Sequence, residues 1–519
     1  MGIIVRQSIK GTIVNYMGSF LGFIMTFFIM IRFLTPEEVG LTRVLVDAGL
    51  LFAGLSQLGT NASIIRFYPY FKDPEKKDHG FFFWSLLVPF IGFLIVMTLF
   101  LIFKGPISGF FAEKSPLFVN YYNYVIPLGF FLLYISVFET NSNVLLRIVI
   151  PKFIREVVIR LMMIVVYSLY AFRLFDLDVF VILFCSVYGM ALLLNIFYQF
   201  RLQKVSLKPD LHFITKPLRR NFLFYTLFLV TAAVGSAITP MLNSFFVSAK
   251  MGLGYTGIFA VATYIAAIIE IPYRSLGAIT QPHLSQAVKE NNIAKADSLC
   301  KSVSLHQFMV GSLIFFFIWI NIDVIFQIIP NGSFYVAGKW AVFIIGLSRL
   351  LTSSLSVGTT VLSYSKYYYF SLFFSFMLTG LAIFFNLKWI PLWGIYGAAS
   401  ATLVSYLIYY LLLLSLVKWK MKTSPFSMNQ LKVAGLILFL FLLNGLWEIS
   451  LGPLFAKIPI ESVYSTIANR LLCSLLMAGI AAFLLYKSHI SVQVNTLMDK
   501  GWEFAKKILS GKPKRKEEN

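Results

Sequence analysis

Long apolar segments, separated by short polar ones, follow one another along almost the whole chain. A helix needs about 20 apolar residues to cross the hydrocarbon core of a bilayer. On that basis the pattern predicts fourteen membrane-spanning helices, and the predicted fold class is an all-α polytopic membrane protein. The approximate ranges are 12–33, 42–65, 81–103, 119–144, 154–173, 178–200, 221–247, 255–280, 305–329, 338–362, 367–387, 391–416, 431–450 and 463–486.

One loop interrupts this series more strongly than any other. Residues 201–221, RLQKVSLKPDLHFITKPLRRN, contain six Lys/Arg and one Asp. Pro209 and Pro217 argue against a continuous helix across the loop. Six apolar segments precede it and eight follow. We predict two six-helix lobes (1–200 and 221–417), a basic cytoplasmic linker (201–220), a C-terminal helix pair (431–486) and a basic amphipathic tail (487–519).

The distribution of positive charge predicts the orientation in the membrane. The loops assigned to the inside hold 31 Lys/Arg residues, and those assigned to the outside hold eight. Because Lys and Arg accumulate in cytoplasmic loops, we expect both termini to be cytoplasmic. Arg6 and Lys10 precede a first span that is too long for the core of a signal peptide, so we expect it to remain uncleaved.

The composition excludes several classes of function. With 58% hydrophobic and 13% charged residues, the chain lies outside the range of soluble domains. The net charge of +22 lies mostly in loops, where topology and anionic headgroups explain it, so no nucleic-acid partner is predicted. The three cysteines and five histidines show no disulfide or metal-ligand spacing. With no phosphate-binding loop or nucleophile elbow, we predict neither an enzyme nor a cofactor nor a metal.

A weak internal repeat supports the two-lobe interpretation. Gly40, in the sequence Val-Gly-Leu, opens the second span, and Gly257, in Thr-Gly-Ile, opens the eighth. A charged inner loop follows each of these two helices. Six spans repeated in one orientation form a parallel repeat, related by a pseudo-two-fold axis along the membrane normal. The alternative is that two unrelated helical hairpins look alike at this level.

Polar groups inside spans are the functional candidates, because they are costly in lipid and face the protein interior or water. Arg349 lies 11 residues into its span, about 16 Å deep at 1.5 Å per residue. Two roles remain open for it: bidentate binding of a diphosphate, or a structural ion pair with Glu139 or Glu270. The expectation of a hydrated helix face rests on its hydroxyl-bearing neighbours, Ser348, Thr352, Ser353, Ser354 and Ser356.

Two further pairs of charged residues lie inside spans with a helical i,i+4 spacing. Glu270 and Arg274 share one face, with Pro272 between them. They form either a local salt bridge or part of a binding site beside a helix bend. Arg43 and Asp47 repeat the arrangement nearer the outer surface, where Arg43 can also extend towards the headgroups.

The remaining candidates are mostly uncharged or near helix ends. Asn15 lies in the first span, and Glu139 lies with Asn141 and Asn143 in the fourth. The group in the fourth span is either part of a cavity or a polar cluster at a helix end. Arg160, near the inner end of the fifth span, is expected to snorkel to the surface.

Two motifs resemble those of a known superfamily. Residues 391–402, PLWGIYGAASAT, resemble the opening of the twelfth span in polysaccharide exporters, and residues 34–40, LTPEEVG, resemble the first hairpin loop of the same proteins. These belong to the multidrug/oligosaccharidyl-lipid/polysaccharide (MOP) exporter superfamily. The chain looks most like its flippases of lipid-linked oligosaccharides for O-antigen, capsule or exopolysaccharide. Independently of the resemblance, the small residues of 391–402 allow close helix packing in lipid.

The resemblance implies a function and its partners. It implies alternating-access transfer of an undecaprenyl-diphosphate-linked oligosaccharide to the outer leaflet of a bacterial plasma membrane. Membrane lipids would be partners, together with a glycan polymerase and glycosyltransferases of the same pathway. Three alternatives remain: a flippase of lipid II, a cation-coupled drug antiporter, and a membrane scaffold that transports nothing. An antiporter is expected to carry a buried acid early in the chain, and Asp47 is the candidate.

The charge distribution makes a testable prediction about topology. Cysteines introduced at Ser206 and Ser424 should react with an impermeant maleimide only from the cytoplasmic side, because their loops are strongly basic. A cysteine at Ser108 should react only from outside. Labelling at Ser206 from outside would overturn the predicted orientation of both lobes.

Overall fold

The computed structural model describes residues 3–73, 75–202, 208–210, 213, 215, 238–451 and 462–509. The described residues are almost entirely helical and include no strand, so the predicted all-α class is confirmed. In order, the helices of seven or more residues are α1 (Ile3–Ile24), α2 (Pro36–Ser56), α3 (Thr60–Phe71), α4 (Phe81–Ile102), α5 (Lys104–Ala112), α6 (Val125–Val144), α7 (Ile159–Ala171), α8 (Leu177–Leu202), α9 (Leu242–Met251), α10 (Leu253–Ala267), α11 (Ile271–Lys289), α12 (Ile293–Ile320), α13 (Ile322–Ile328), α14 (Lys339–Tyr364), α15 (Phe370–Trp393), α16 (Ile395–Met421), α17 (Met428–Ser450), α18 (Ser462–Lys487) and α19 (Val492–Leu509).

Within the described ranges, twelve helices are long and apolar enough to cross a membrane. The predicted span 154–173 corresponds to a further continuous helix that begins at Val149, passes through a π-helical turn at Ile154–Val158 and continues into α7. Most of the predicted span 221–247 lies outside the described residues. The number fourteen is therefore approximate, and the predicted lobe boundaries stay predictions.

The second predicted span, 42–65, differs from the observed helices in both position and continuity. Helix α2 begins at Pro36 because Thr35 and Glu38 form a capping box that satisfies the first backbone N–H groups. It ends at Ser56, where Leu58 and Gly59 adopt left-handed backbone angles, and α3 begins at Thr60. Periodicity alone does not reveal this break, because apolar residues continue across it.

Two compact units divide the chain by their internal contacts. The first comprises 1–267, 328–348 and 361–416, and the second comprises 268–327, 349–360 and 417–519. In the second unit, α12 packs against α17 and α18 around a core that includes Phe316, Leu440 and Cys473. Helix α19 is attached to this core, because Tyr486 donates to Asp499 at 2.8 Å.

In the first unit, α2 and α10 pack together at two glycines. A Cβ atom on Gly40 would collide with the carbonyl group of Leu253, and one on Gly257 would collide with that of Pro36. Each colliding carbonyl belongs to the residue four positions before the opposite glycine. The two contacts are therefore reciprocal, and the two glycines of the predicted repeat face each other across a local two-fold relation.

Polar contacts surround this glycine contact at the same end of the unit, which the topology prediction places outside. The Ser115 hydroxyl donates to the Ser248 carbonyl at 2.7 Å, and both residues are buried. The Asn331 side chain donates to the carbonyls of Ile31 and Arg32 at 3.2 and 3.1 Å. These bonds join segments from both predicted lobes, so this end of the unit is closed.

The glycine contact can be tested on a single helix. Gly257→Ala should lower the free energy of unfolding by about 1–3 kcal/mol, because the added methyl group forces α2 and α10 apart. Gly254→Ala, three residues earlier on α10, is the matched control because no atom lies within 4 Å of its added Cβ. The control should leave stability unchanged or slightly increased. Equal thermal unfolding of the two variants in detergent would contradict the proposed close contact.

Candidate functional site

Arg349 and Glu270 form an ion pair in the second unit. The Arg349 Nη1 atom donates to the Glu270 Oε1 atom at 2.9 Å. The side chains are 33% and 12% exposed, respectively. Of the two acids considered as partners for Arg349, the structure therefore brings Glu270 to it. One third of the Arg349 side chain remains accessible in this pair.

The position of Glu270 follows from a break in the predicted span 255–280. Helix α10 ends at Ala267, a short 3-10 turn covers Ile268–Glu270, and α11 begins at Ile271 with Pro272 in its first turn. Proline is well tolerated there because the first helical N–H groups lack an intrahelical partner. Glu270 thus lies immediately before α11, at the junction between the 3-10 turn and this helix.

The hydroxyl groups next to Arg349 do not form the expected hydrated face. Ser353 and Ser354 donate to the carbonyl of Leu350 at 3.0 and 2.7 Å, and Ser356 donates to that of Ser353 at 3.4 Å. All three serines are buried. Serine in a helix can satisfy its hydroxyl on the preceding turn, and a count of polar residues does not distinguish that from exposure to water.

The predicted partnership between Glu270 and Arg274 lies outside the described side chains. Arg274 belongs to α11, but only its backbone is described. A binding role for Arg274 therefore stays a prediction.

Arg43 and Asp47 form the i,i+4 pair that their spacing predicts, at 2.8 Å between Nε and Oδ2. Asp47 is almost completely buried. The Arg43 Nε atom also lies 3.4 Å from the Ser244 hydroxyl, and its guanidinium lies 5.7 Å from the centre of the Tyr264 ring. Arg43 therefore points into the first unit and does not extend towards the headgroups.

Glu139 belongs to a charged cluster at the π-helical turn Ile154–Val158. It accepts from Arg155 at 2.7 Å, and Arg155 also contacts Glu156 at 3.2 Å. Arg160 donates to the backbone carbonyl of Glu156 at 2.7 Å and pairs with its carboxylate at 2.9 Å. The Arg160 side chain thus reaches back to the preceding turn, towards the predicted inner end of its span, and the expectation that it snorkels stays a prediction.

The candidate amides of the first unit have different roles. Asn15 on α1 is exposed. Asn141 is buried and donates to the Ser85 hydroxyl at 3.1 Å, and the Ser142 hydroxyl donates to Gln199 at 3.0 Å. These bonds join α6 to α4 and α8, so Asn141 contributes to helix packing.

A second polar cluster in the first unit was missed by sequence reasoning. Asn243 donates to the Thr402 hydroxyl at 2.6 Å, and Asn386 donates to the Asn243 side-chain oxygen at 3.1 Å. The hydroxyls of Thr239 and Thr379 lie 2.6 Å apart. The available signal was the presence of amide side chains deep within apolar segments. No group of three or more His, Cys, Asp or Glu with metal-binding geometry occurs in the part of the chain that the structure describes.

An apolar cavity of about 510 Å³ lies in the second unit, between α12, α14 and α17. Its wall includes Leu351 and Leu355, which follow Arg349 on α14, and its polar lining includes Gln430. At the rim, Met428 and Leu431 are 76% and 67% exposed. The cavity is therefore an open apolar groove on the helix that carries Arg349.

Many long apolar helices that bury paired charges are the architecture of membrane transport proteins. Comparison with models of known protein families finds no match. An uncharacterized membrane protein of Methanocaldococcus jannaschii is 22% identical over 436 residues, which cover 78% of this chain and 83% of that protein.

Solved structures share the fold. The lipid II flippase MurJ, in an inward closed conformation, matches with a TM-score of 0.73 and 14% identity over 93% of this chain and 100% of that chain. An inward-facing multidrug resistance MATE family transporter of the MOP superfamily matches with a TM-score of 0.57 and 16% identity, over 81% and 98%. The chain therefore has the fold of MOP-superfamily flippases and transporters, and these neighbours are not enzymes.

The ion pair predicts a specific pattern of stability. Arg349→Ala should lower the free energy of unfolding by about 1–3 kcal/mol, because it removes a charged partner from the mostly buried Glu270 carboxylate. Adding Glu270→Gln should recover more than half of that loss. Thermal unfolding of both single variants and the double variant gives the coupling directly. Strictly additive effects would show that the two side chains do not stabilise each other.

Proposed function

We propose that the protein is a flippase that moves an undecaprenyl-diphosphate-linked oligosaccharide from the cytoplasmic to the outer leaflet by alternating access. The observation that carries this proposal is the position of Arg349. This residue is partly exposed, pairs with Glu270 and lies on a helix that also lines an open apolar groove. A lipid-linked glycan requires both features, because its diphosphate is strongly anionic and its lipid tail is apolar.

Binding at this site is an exchange of anions. Glu270 and a diphosphate compete for the same guanidinium, and the diphosphate offers two oxygens in the spacing of the planar fork. When the diphosphate displaces Glu270, the link between α14 and the start of α11 is broken. The ligand therefore has a different affinity for the two arrangements of these helices, which ligand-driven conformational change requires.

The apolar groove suits the lipid part of such a substrate. Its volume of about 510 Å³ lies within the usual range of ligand sites. Its rim is formed by exposed apolar residues of α17, so a tail can enter from the surrounding lipid. Leu351 and Leu355 lie two and six residues beyond Arg349 on α14. At about 100° per residue they lie on a different face of α14 from Arg349, so the tail and the diphosphate of the substrate would contact different faces of this helix.

A lipid II flippase is the second candidate. The similarity to MurJ over 93% of this chain favours it. Lipid II also combines a diphosphate with a polyprenyl tail, so the Arg349 site and the groove suit it equally. The two candidates differ in the glycan, and only a direct comparison of substrates separates them.

A cation-coupled drug antiporter is less well supported. Such a transporter needs a buried acid that is free to bind a cation, and Asp47 is bonded to Arg43 at 2.8 Å. A competing cation would have to displace a guanidinium from this carboxylate.

The proposed setting is a bacterial plasma membrane with both termini in the cytoplasm. A glycan polymerase and glycosyltransferases of the same pathway are the proposed partners.

Flipping can be separated from folding by neutralising the ion pair completely. In proteoliposomes, Arg349→Gln with Glu270→Gln should fold, because both charges of the pair are removed together, yet flip a fluorescent lipid-linked oligosaccharide at less than about one tenth of the native rate. Arg349→Lys should restore only part of the rate, since an ammonium group keeps the charge and loses the fork.

A second ion pair in the same unit gives the matched control. Arg470 and Glu448 pair at 2.9 Å on α18 and α17, and Arg470→Gln with Glu448→Gln should keep native flipping. Lipid II tested in parallel distinguishes the two candidate substrates. Native flipping of both lipids by a folded Arg349→Gln/Glu270→Gln variant would end the claim that this site binds the diphosphate.

A further inference from the structure

A short turn in the first unit has an unusual backbone. Lys77, Asp78, His79 and Gly80 have φ angles of 50°, 53°, 50° and 70°. Left-handed angles are disfavoured for residues with a Cβ atom, and a run of three such residues is rarer still. Such a conformation persists only where surrounding contacts impose it.

The loop's own residues hold part of this turn, and the His79 N–H donates to the Lys76 carbonyl at 3.1 Å. The backbone N–H of Asp73 donates to the Asp78 carboxylate at 2.9 Å, and the Tyr68 hydroxyl lies 3.3 Å from the same group. Asp73 also has a carboxylate oxygen 3.6 Å from the Nε2 atom of His79. The remaining contacts to His79 and Gly80 come from a distant part of the sequence.

That distant part is the basic loop 201–221, of which Lys208, Pro209, Asp210, Phe213 and Thr215 are described. The Nδ1 atom of His79 lies 3.0 Å from the Asp210 carboxylate, and the Asp210 N–H donates to the His79 carbonyl at 3.2 Å. The Phe213 ring stacks on the imidazole with centroids 3.8 Å apart. A Cβ atom on Gly80 would collide with the Lys208 carbonyl.

The charge of the loop makes this docking selective. Asp210 is the only acid among six Lys/Arg residues in 201–221, and it is the residue that contacts His79. His79 is buried. The turn and the contacting segment, Lys208–Asp210 with Phe213, therefore depend on each other. The segment fixes the disfavoured backbone, and the turn supplies the segment's docking surface.

We propose that Lys208–Asp210 and Phe213 form a conformational latch, docked on the turn Lys77–Gly80 in the state described and released in the other state of the transport cycle. The inference rests on the proposed function only because it assumes that the protein passes through a transport cycle. The loop is the covalent connection between the two predicted lobes, so a movement between lobes acts on it directly. A disfavoured turn that is held by a distant partner suits a switching element, because loss of the partner removes the contacts that impose its backbone.

A disulfide tests the latch because the two backbones are close. With the Asp210 N–H bonded to the His79 carbonyl, the pair His79→Cys and Asp210→Cys is expected to fall within the Cα separation that a disulfide accepts, about 4.4–6.8 Å. Cys185, Cys300 and Cys473 are replaced by Ala to leave a clean background. Mild oxidation should cross-link most of the protein, and each single-cysteine variant is the control.

Opening of the opposite end is then measured without any substrate. A third cysteine at Ser248, buried in the polar contacts of the first unit, reports opening through its reaction with an impermeant maleimide. The oxidised latch should slow this reaction at least about tenfold, and reduction should restore it. In proteoliposomes, flipping should stop on oxidation and return on reduction.

The outcomes separate the latch from the proposed function. Slowed labelling in a protein that flips no lipid-linked glycan would support the latch and contradict the proposed function. If the cross-linked protein is labelled as fast as the protein with its disulfide reduced, the latch is overturned, because the segment would then stay docked while the other end opens. Failure of the two cysteines to cross-link would overturn the docking itself.

Discussion

The low polarity of the bilayer interior is the constraint on which the rest of the structure depends. An unpaired charge there is costly, and the protein meets that cost with local ion pairs. Arg43 pairs with Asp47, Arg160 with Glu156, and Arg349 with Glu270. The same pairing creates the candidate site, since a cation that must have a partner can exchange one anion for another. Arg349 combines this property with a position on a helix that also lines an apolar groove, which is why we propose it as the site of a substrate diphosphate.

The second constraint is close helix packing where the hydrophobic effect cannot drive association. In lipid, small residues let backbones approach and gain van der Waals contact. Gly40 and Gly257 do this reciprocally between α2 and α10, and the polar bonds around Ser115 and Asn331 close the same end of the first unit. A transporter that alternates between two states needs such an interface to part and reform. Two helices that meet at bare backbone can separate without rearranging large side chains.

The sequence predicted the fold class and the position of most spans, because both depend on simple counts of apolar residues. It also singled out Gly40 and Gly257, although only as a repeat and not as a contact. It could not place the helix break at Leu58, where left-handed backbone angles end the helix, or the 3-10 turn at Ile268–Glu270. It left the partner of Arg349 open between two acids, and it overestimated the exposure of the serines beside it. Such choices depend on which helices are neighbours, and no local pattern encodes that.

The central claim is that the protein moves a diphosphate-linked glycan lipid across the membrane. The most direct test is to deplete the protein in its native cell and identify the lipid-linked glycans exposed on each leaflet. We predict that an undecaprenyl-diphosphate-linked oligosaccharide accumulates in the cytoplasmic leaflet while peptidoglycan synthesis continues. Accumulation of lipid II would contradict the assigned glycan and favour the second candidate. An unchanged distribution of every lipid-linked glycan would contradict the claim as a whole.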